Sequence, residues 1–181
     1  MEESTLIGLG VGMLNILLAA LNYVLSSLAI YKIAEVEKIN NPWLAWIPVA
    51  NSYMLIKVAG GNMFMLILAV ISFITGSTTT AIVGNQLFTI FGVLISAVWS
   101  IYAIMLYNRL CDKYNVNIML FVASFIAPIA IYFRVLAPFY VPLIAIGFYA
   151  HYKLYKNASN GITSKVNVQS KVVLSKNKKK K

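Results

Sequence analysis

The side chains best equipped for chemistry are few and stand far apart. The chain has one histidine, His151, and one cysteine, Cys111, forty residues away. Its five acids are Glu2, Glu3, Glu35, Glu37 and Asp112. A zinc site needs histidine, cysteine or carboxylate ligands in a cluster, so no metal is expected, and no other cofactor. A lone cysteine excludes an internal disulfide. Cys111 lies between Arg109 and Lys113, where cations favour a thiolate, although an inert reduced thiol is the simpler reading. Nucleophilic catalysis requires a nucleophile beside its base. Serines abound, but no lysine falls inside an apolar span; Lys57 reads as a solvated interfacial residue. His151, beside Tyr149, Tyr152 and Lys153, reads as a histidine at a membrane boundary. Gly60-Gly61 reads as a turn before a helix rather than a phosphate loop. No catalytic residue is assigned, and an enzyme is not expected.

The elements that hold these residues are apolar. Of 181 residues 60% are hydrophobic and only 11% charged, with a mean hydropathy of +0.79. A soluble domain is nearer half apolar and a quarter charged, and a chain this small cannot hide so much apolar surface from water. The expected class is all-α, a polytopic helical membrane protein. Residues 1–152 form the helical transmembrane domain, and 153–181 a disordered, lysine-rich cytoplasmic tail.

The first span covers about Leu6 to Tyr31, more than the roughly 20 residues a crossing needs. It is expected to be a retained helix rather than a cleaved leader, because its start is acidic and its apolar run is long. Gly8, Gly12, Asn15, Ala19, Asn22 and Ser26 recur every three or four residues and so share one helix face. Small and amide side chains on such a face let helices approach and hydrogen-bond in lipid. A packing seam is expected; a polar wall of a substrate path is the alternative. Lys32 to Pro42 reads as a polar loop. Trp43 to Gly61, interrupted by Pro48, Asn51 and Lys57, reads as an interfacial or re-entrant segment, with Trp43 and Trp46 at headgroup depth. The second span covers Met63 to Val83, with the hydroxyl-rich run Thr75–Thr80 ending its helix near Ser77. The third covers Gln86 to Tyr107, and its row of Gly92, Ser96 and Ser100 is a second packing face. Asn108 to Asn117 reads as a charged loop. The stretch Ile118 to Tyr152 is broken by Pro128, Pro138 and Pro142. It divides into Ile118–Phe133 and Leu136–Tyr152, a short hairpin with Arg134 at its tip.

Charge orients these spans. Cytoplasmic loops are enriched in lysine and arginine. Lys32, Lys38 and Lys57, then Arg109 and Lys113, then the tail all fall on one side if the hairpin crosses twice. That gives about five crossings, with the N-terminus outside and the C-terminus cytoplasmic. From Lys153 onward there are nine lysines and no acid. Lys176, Lys178, Lys179, Lys180 and Lys181 form a cluster that attracts anionic lipid headgroups. The tail lacks the aromatics and arginines that nucleic-acid binding would add, so nucleic acid is not an expected partner.

Trp43, Trp46-Ile47-Pro48, Asn51, Tyr53 and Lys57-Val58-Ala59-Gly60 are followed by two spans and then by Gly147-Phe148 and Tyr152. This order resembles an uncharacterised multi-span bacterial membrane domain sometimes found ahead of a signal peptidase I unit. The resemblance covers most of residues 20 to 155. The loop after the third span departs from that family's Lys-Phe-Gly-Lys pattern, reading Cys111-Asp112-Lys113-Tyr114-Asn115, and a peptidase unit is not expected here. The family has no established activity, so the resemblance implies a bacterial inner-membrane location and little about chemistry. The expected function is that of a non-enzymatic accessory or scaffold component acting through helix–helix contacts, with a membrane-protein partner or a second copy. The alternative is a small transporter or channel subunit with a polar path near Asn15, Asn22 and Thr75–Thr80.

Overall fold

From Glu2 to Val36 the chain contains no proline, and all 35 residues wind into one helix, α1. The computed structural model describes residues 2–78, 86–130 and 139–162, and every regular element among them is helical. After α1 come a 3-10 turn at Pro42–Trp46, α2 at Pro48–Val58, a second 3-10 turn at Met63–Met65 and α3 at Leu66–Thr78. Then follow α4 at Gln86–Tyr114, α5 at Met119–Ala130 and α6 at Tyr140–Ser159. Proline starts both the first turn and α2, the position where its missing N–H costs nothing.

Cross-helix contacts give the directions. Ser26 Oγ meets Tyr107 Oη at 3.0 Å and Glu37 meets Lys113 at 2.6 Å, so α1 and α4 run parallel. Tyr140 bonds to Asn15 at one end of α6, and Asn157 donates to the Tyr114 carbonyl at the other, so α6 runs with them. Ser72 donates to Ser96 at 3.0 Å, and Thr75 packs on Gly92, so α3 opposes α4. Phe121 packs on His151, and Ser124 on Gly147, so α5 opposes α6.

This arrangement gathers charge at one end. Glu2 and Glu3 begin α1, whereas Lys32, Glu35, Glu37, Lys57, Arg109, Lys113, Lys153 and Lys156 stand near the C-terminal ends of α1, α2, α4 and α6. The best-packed core lies at the same end. Ile30, Ile33, Met54, Ile56, Leu106, Leu110, Tyr114, Phe121 and Leu154 are fully buried there. Away from it the long helices are bare. Met13 and Ile16 are 73% and 72% exposed, and Ile90, Phe91, Val93, Leu94, Val98 and Ile101 are open as well.

Two helical stretches, Gly12–Val36 and Ile90–Tyr114, are long and apolar enough to cross a membrane, and Met63–Thr75 is a shorter apolar one. At 1.5 Å per residue, α1 is about 52 Å long and α4 about 44 Å, so both exceed a hydrocarbon core of about 30 Å. Several boundaries therefore move. Lys32–Val36, expected in a loop, is the end of α1, and Asn108–Tyr114 is the end of α4. The segment 43–61 is a turn followed by an eleven-residue helix, about 16 Å long and too short to cross. Helix α6 runs to Ser159, past the tail boundary set at Lys153, because Leu154 and Ala158 are buried on its inner face. The Arg134 tip, Thr79, Thr80 and the tail lysines Lys176 and Lys178–Lys181 lie outside the described residues.

Candidate functional site

Polar side chains on four apolar helices converge on one cavity. It has a volume of about 700 Å3 and is lined by Asn22 and Ser26 of α1, Ser100 and Tyr107 of α4, Ser124 of α5 and His151 of α6. Its remaining wall is largely apolar and includes Ile101, Ile104, Phe125 and Ile126. Helical spacing explains the convergence. Asn22 and Ser26 are one turn apart, and so share a face. Gly147, Ala150, His151, Leu154 and Ala158 form the buried stripe of α6.

Most of the polar groups already have partners. Ser26 and Tyr107 hydrogen-bond each other. Ser100 Oγ donates to the Ser96 carbonyl at 2.8 Å, the back-bond that lets a serine sit within a helix. His151 Nδ1 lies 2.9 Å from the Gly147 carbonyl. Because a carbonyl only accepts, Nδ1 carries the hydrogen, and in the neutral ring Nε2 is an acceptor. The ring stands edge-on to Tyr107 and Phe121, at 5.7 and 4.9 Å between centroids. Asn22 carries a buried acceptor that is not satisfied. Its Oδ1 is buried and has no hydrogen-bond partner among the described residues, a state that costs about 1–3 kcal/mol. The cavity thus offers hydrogen-bonding groups inside an apolar wall, with histidine as its sole titratable base.

The expected packing residues separate into distinct roles. Asn15 bonds Tyr140, Asn22 lines the cavity and Ser26 joins α1 to α4. Gly12 and Ala19 face outward; nothing lies within 4 Å of a Cβ built on Gly12. Gly8 falls within α1, but its surroundings are outside the described set. Gly92 is buried against Thr75, and Ser96 accepts from Ser72, so this part of the second row is a seam to α3. Ser100, in the same row, faces the cavity. Thr75 therefore belongs to the α3–α4 seam. Trp43 and Trp46 are 55% and 41% exposed, and the Trp46 carbonyl accepts from Tyr23 at 2.7 Å. Asn51 ties this cap down through the Ala45 carbonyl and Ser27 Oγ.

Two readings change. His151 is a buried residue of an inner face rather than one open to its surroundings, being 5% exposed. Cys111 is helical and buried rather than in a loop. Both lie on three-and-four stripes that continue beyond the expected helix ends, which was the available signal. Among the described residues, no three histidine, cysteine or carboxylate side chains gather as metal ligands do.

The class defined by these features is an all-helical bundle with two helices of membrane-crossing length and apolarity. Compared with protein-family models, curated proteins and solved structures, the chain matches none of them.

Proposed function

We propose that this chain is a five-crossing integral membrane protein of a bacterial inner membrane, and that it acts without chemistry of its own, through contacts between its helices and those of a partner. One observation carries the reading. The apolar middles of α1 and α4 are largely unburied. A soluble protein would bury its most apolar helices, so these faces require lipid or other helices as their surroundings. In this reading α1, α4 and α6 cross in one direction and α3 and α5 in the other, with α2 lying at the interface. The Trp43–Gly60 run that resembles the bacterial membrane domain supports the inner-membrane location.

A second reading, a small transporter or channel subunit, is favoured by the cavity and its unpartnered Asn22 Oδ1. A single experiment separates the two. A photo-crosslinker is placed at Leu17 or Leu94, both exposed, in native membranes. The contact role expects discrete adducts to a second polypeptide or a second copy from at least one site. Lipid adducts alone, together with liposome solute flux abolished by Asn22→Leu, overturn it in favour of transport.

A further inference from the structure

Beyond the cavity, the charged end holds a second concave site. Glu37, Lys57, Gly60, Arg109 and Lys113 surround a pocket of about 330 Å3. Its charges do not cancel. Glu37 accepts from Lys113 at 2.6 Å and from Tyr114 Oη at 2.7 Å, so acid and lysine satisfy each other. Lys57 and Arg109 make no ion pair among the described residues. Arg109 directs one N–H to the Gly60 carbonyl at 2.8 Å, which holds the guanidinium at the pocket while its other donors stay available. Lys57 Nζ rests 3.2 Å from Tyr53 Oη. Gly60 has φ +62° and no atom within 4 Å of a Cβ position, so the backbone is open on this side.

Three residues further along the chain an apolar groove begins. It has a volume of about 530 Å3 and is lined by Met63 and Phe64 of the second 3-10 turn and Leu66, Ile67, Val70 and Ile71 at the start of α3. Phe64 is 73% exposed. A doubly cationic head pocket followed by an apolar groove matches an amphipath with an anionic head and a hydrocarbon tail. Basic pockets between helices on the cytoplasmic side take such headgroups, and arginine presents a donor fork suited to phosphate oxygens.

We propose that Lys57 and Arg109, with the Phe64–Ile71 groove, bind one anionic phospholipid, the phosphate at the cations and an acyl chain along α3. This site is distinct from the tail lysines, and it rests on the membrane reading above. The test is native mass spectrometry of the full chain in a neutral detergent, with added phosphatidylglycerol or phosphatidylcholine. One retained phosphatidylglycerol is expected. K57Q/R109Q should lower its retention roughly 30-fold, as loss of two basic contacts at an anionic surface implies. Neutralising Lys176 and Lys178–Lys181 to glutamine should leave that one lipid bound. K57Q alone, at an exposed side chain, should give a partial loss with no effect on folding.

Equal retention of the two lipids, or loss only in the tail variant, overturns the proposal. So does full competition by millimolar inorganic phosphate, which would make the ligand a free anion. A chain that stays monodisperse without detergent would instead overturn the membrane reading itself.

Discussion

At the scale of single residues, Gly147 is the most closely approached of the described glycines. A Cβ there would fall on the Ser124 side chain, including its Cβ at 2.5 Å. The α5–α6 pair is therefore held at glycine distance, and the His151 ring is held beside Phe121 as a result. Gly147→Ala should lower the thermal midpoint in detergent, by about 1–3 kcal/mol of overpacking. Adding Ser124→Gly should restore most of the loss, because the clash is with that side chain. If G147A is neutral alone, or if the second change restores nothing, the close approach is not what holds this pair. Little of this was visible in advance. In sequence the Gly147-Phe148 pair carries a resemblance but no neighbour, since only the folded chain places Ser124 opposite it.

At the scale of elements, four helices end alike. Residues Lys38, Gly60, Asn115 and Gly161 have φ between 54° and 64°. In each case the next N–H reaches back five residues, Ile39 to Ala34, Gly61 to Ile56, Val116 to Cys111 and Ile162 to Asn157. This is the left-handed closure that satisfies terminal carbonyls. Glycine and asparagine adopt it readily; lysine pays about 1–2 kcal/mol. Lys38→Gly should therefore raise the thermal midpoint, and Lys38→Val should lower it; the opposite order would show that α1 ends by another means. These closures also explain what could be read from the sequence and what could not. The apolar spans were legible because lipid-length hydrophobic runs stand out without any tertiary information. Helix ends are not, because in sequence a charged residue reads as the end of a span. Lys32 and Glu35 form a 2.7 Å ion pair within α1 near its end, and Arg109 and Lys113 lie within the last two turns of α4, so charge here does not end a helix. Asn160-Gly161 and the stripe through Ala158 were usable signals for the end of α6. The cavity was half legible. Asn22 and Ser26 fell on a recognised face, whereas His151 and Ser124 needed the antiparallel pairing of α5 with α6.

At the scale of the whole molecule, the proposed membrane reading takes its orientation from charge asymmetry. Every described charge after Glu3 lies near one end, and the apolar helices rise from it. In a Cys111→Ser background, single cysteines at Asn40, Asn117 and Gly84 should report this. An impermeant maleimide applied to intact cells should label only Gly84→Cys, and all three after the membrane is opened. Labelling of Asn40→Cys in intact cells reverses the orientation, and labelling of all three removes the crossings between them. The pairing at that charged end also has a history in time. Glu37 and Lys113 are 76 positions apart. At about 5–20 residues synthesised per second, the acid of α1 emerges roughly 4–15 s before its lysine exists. Through that interval α1 stands without the ion pair that joins its charged end to α4.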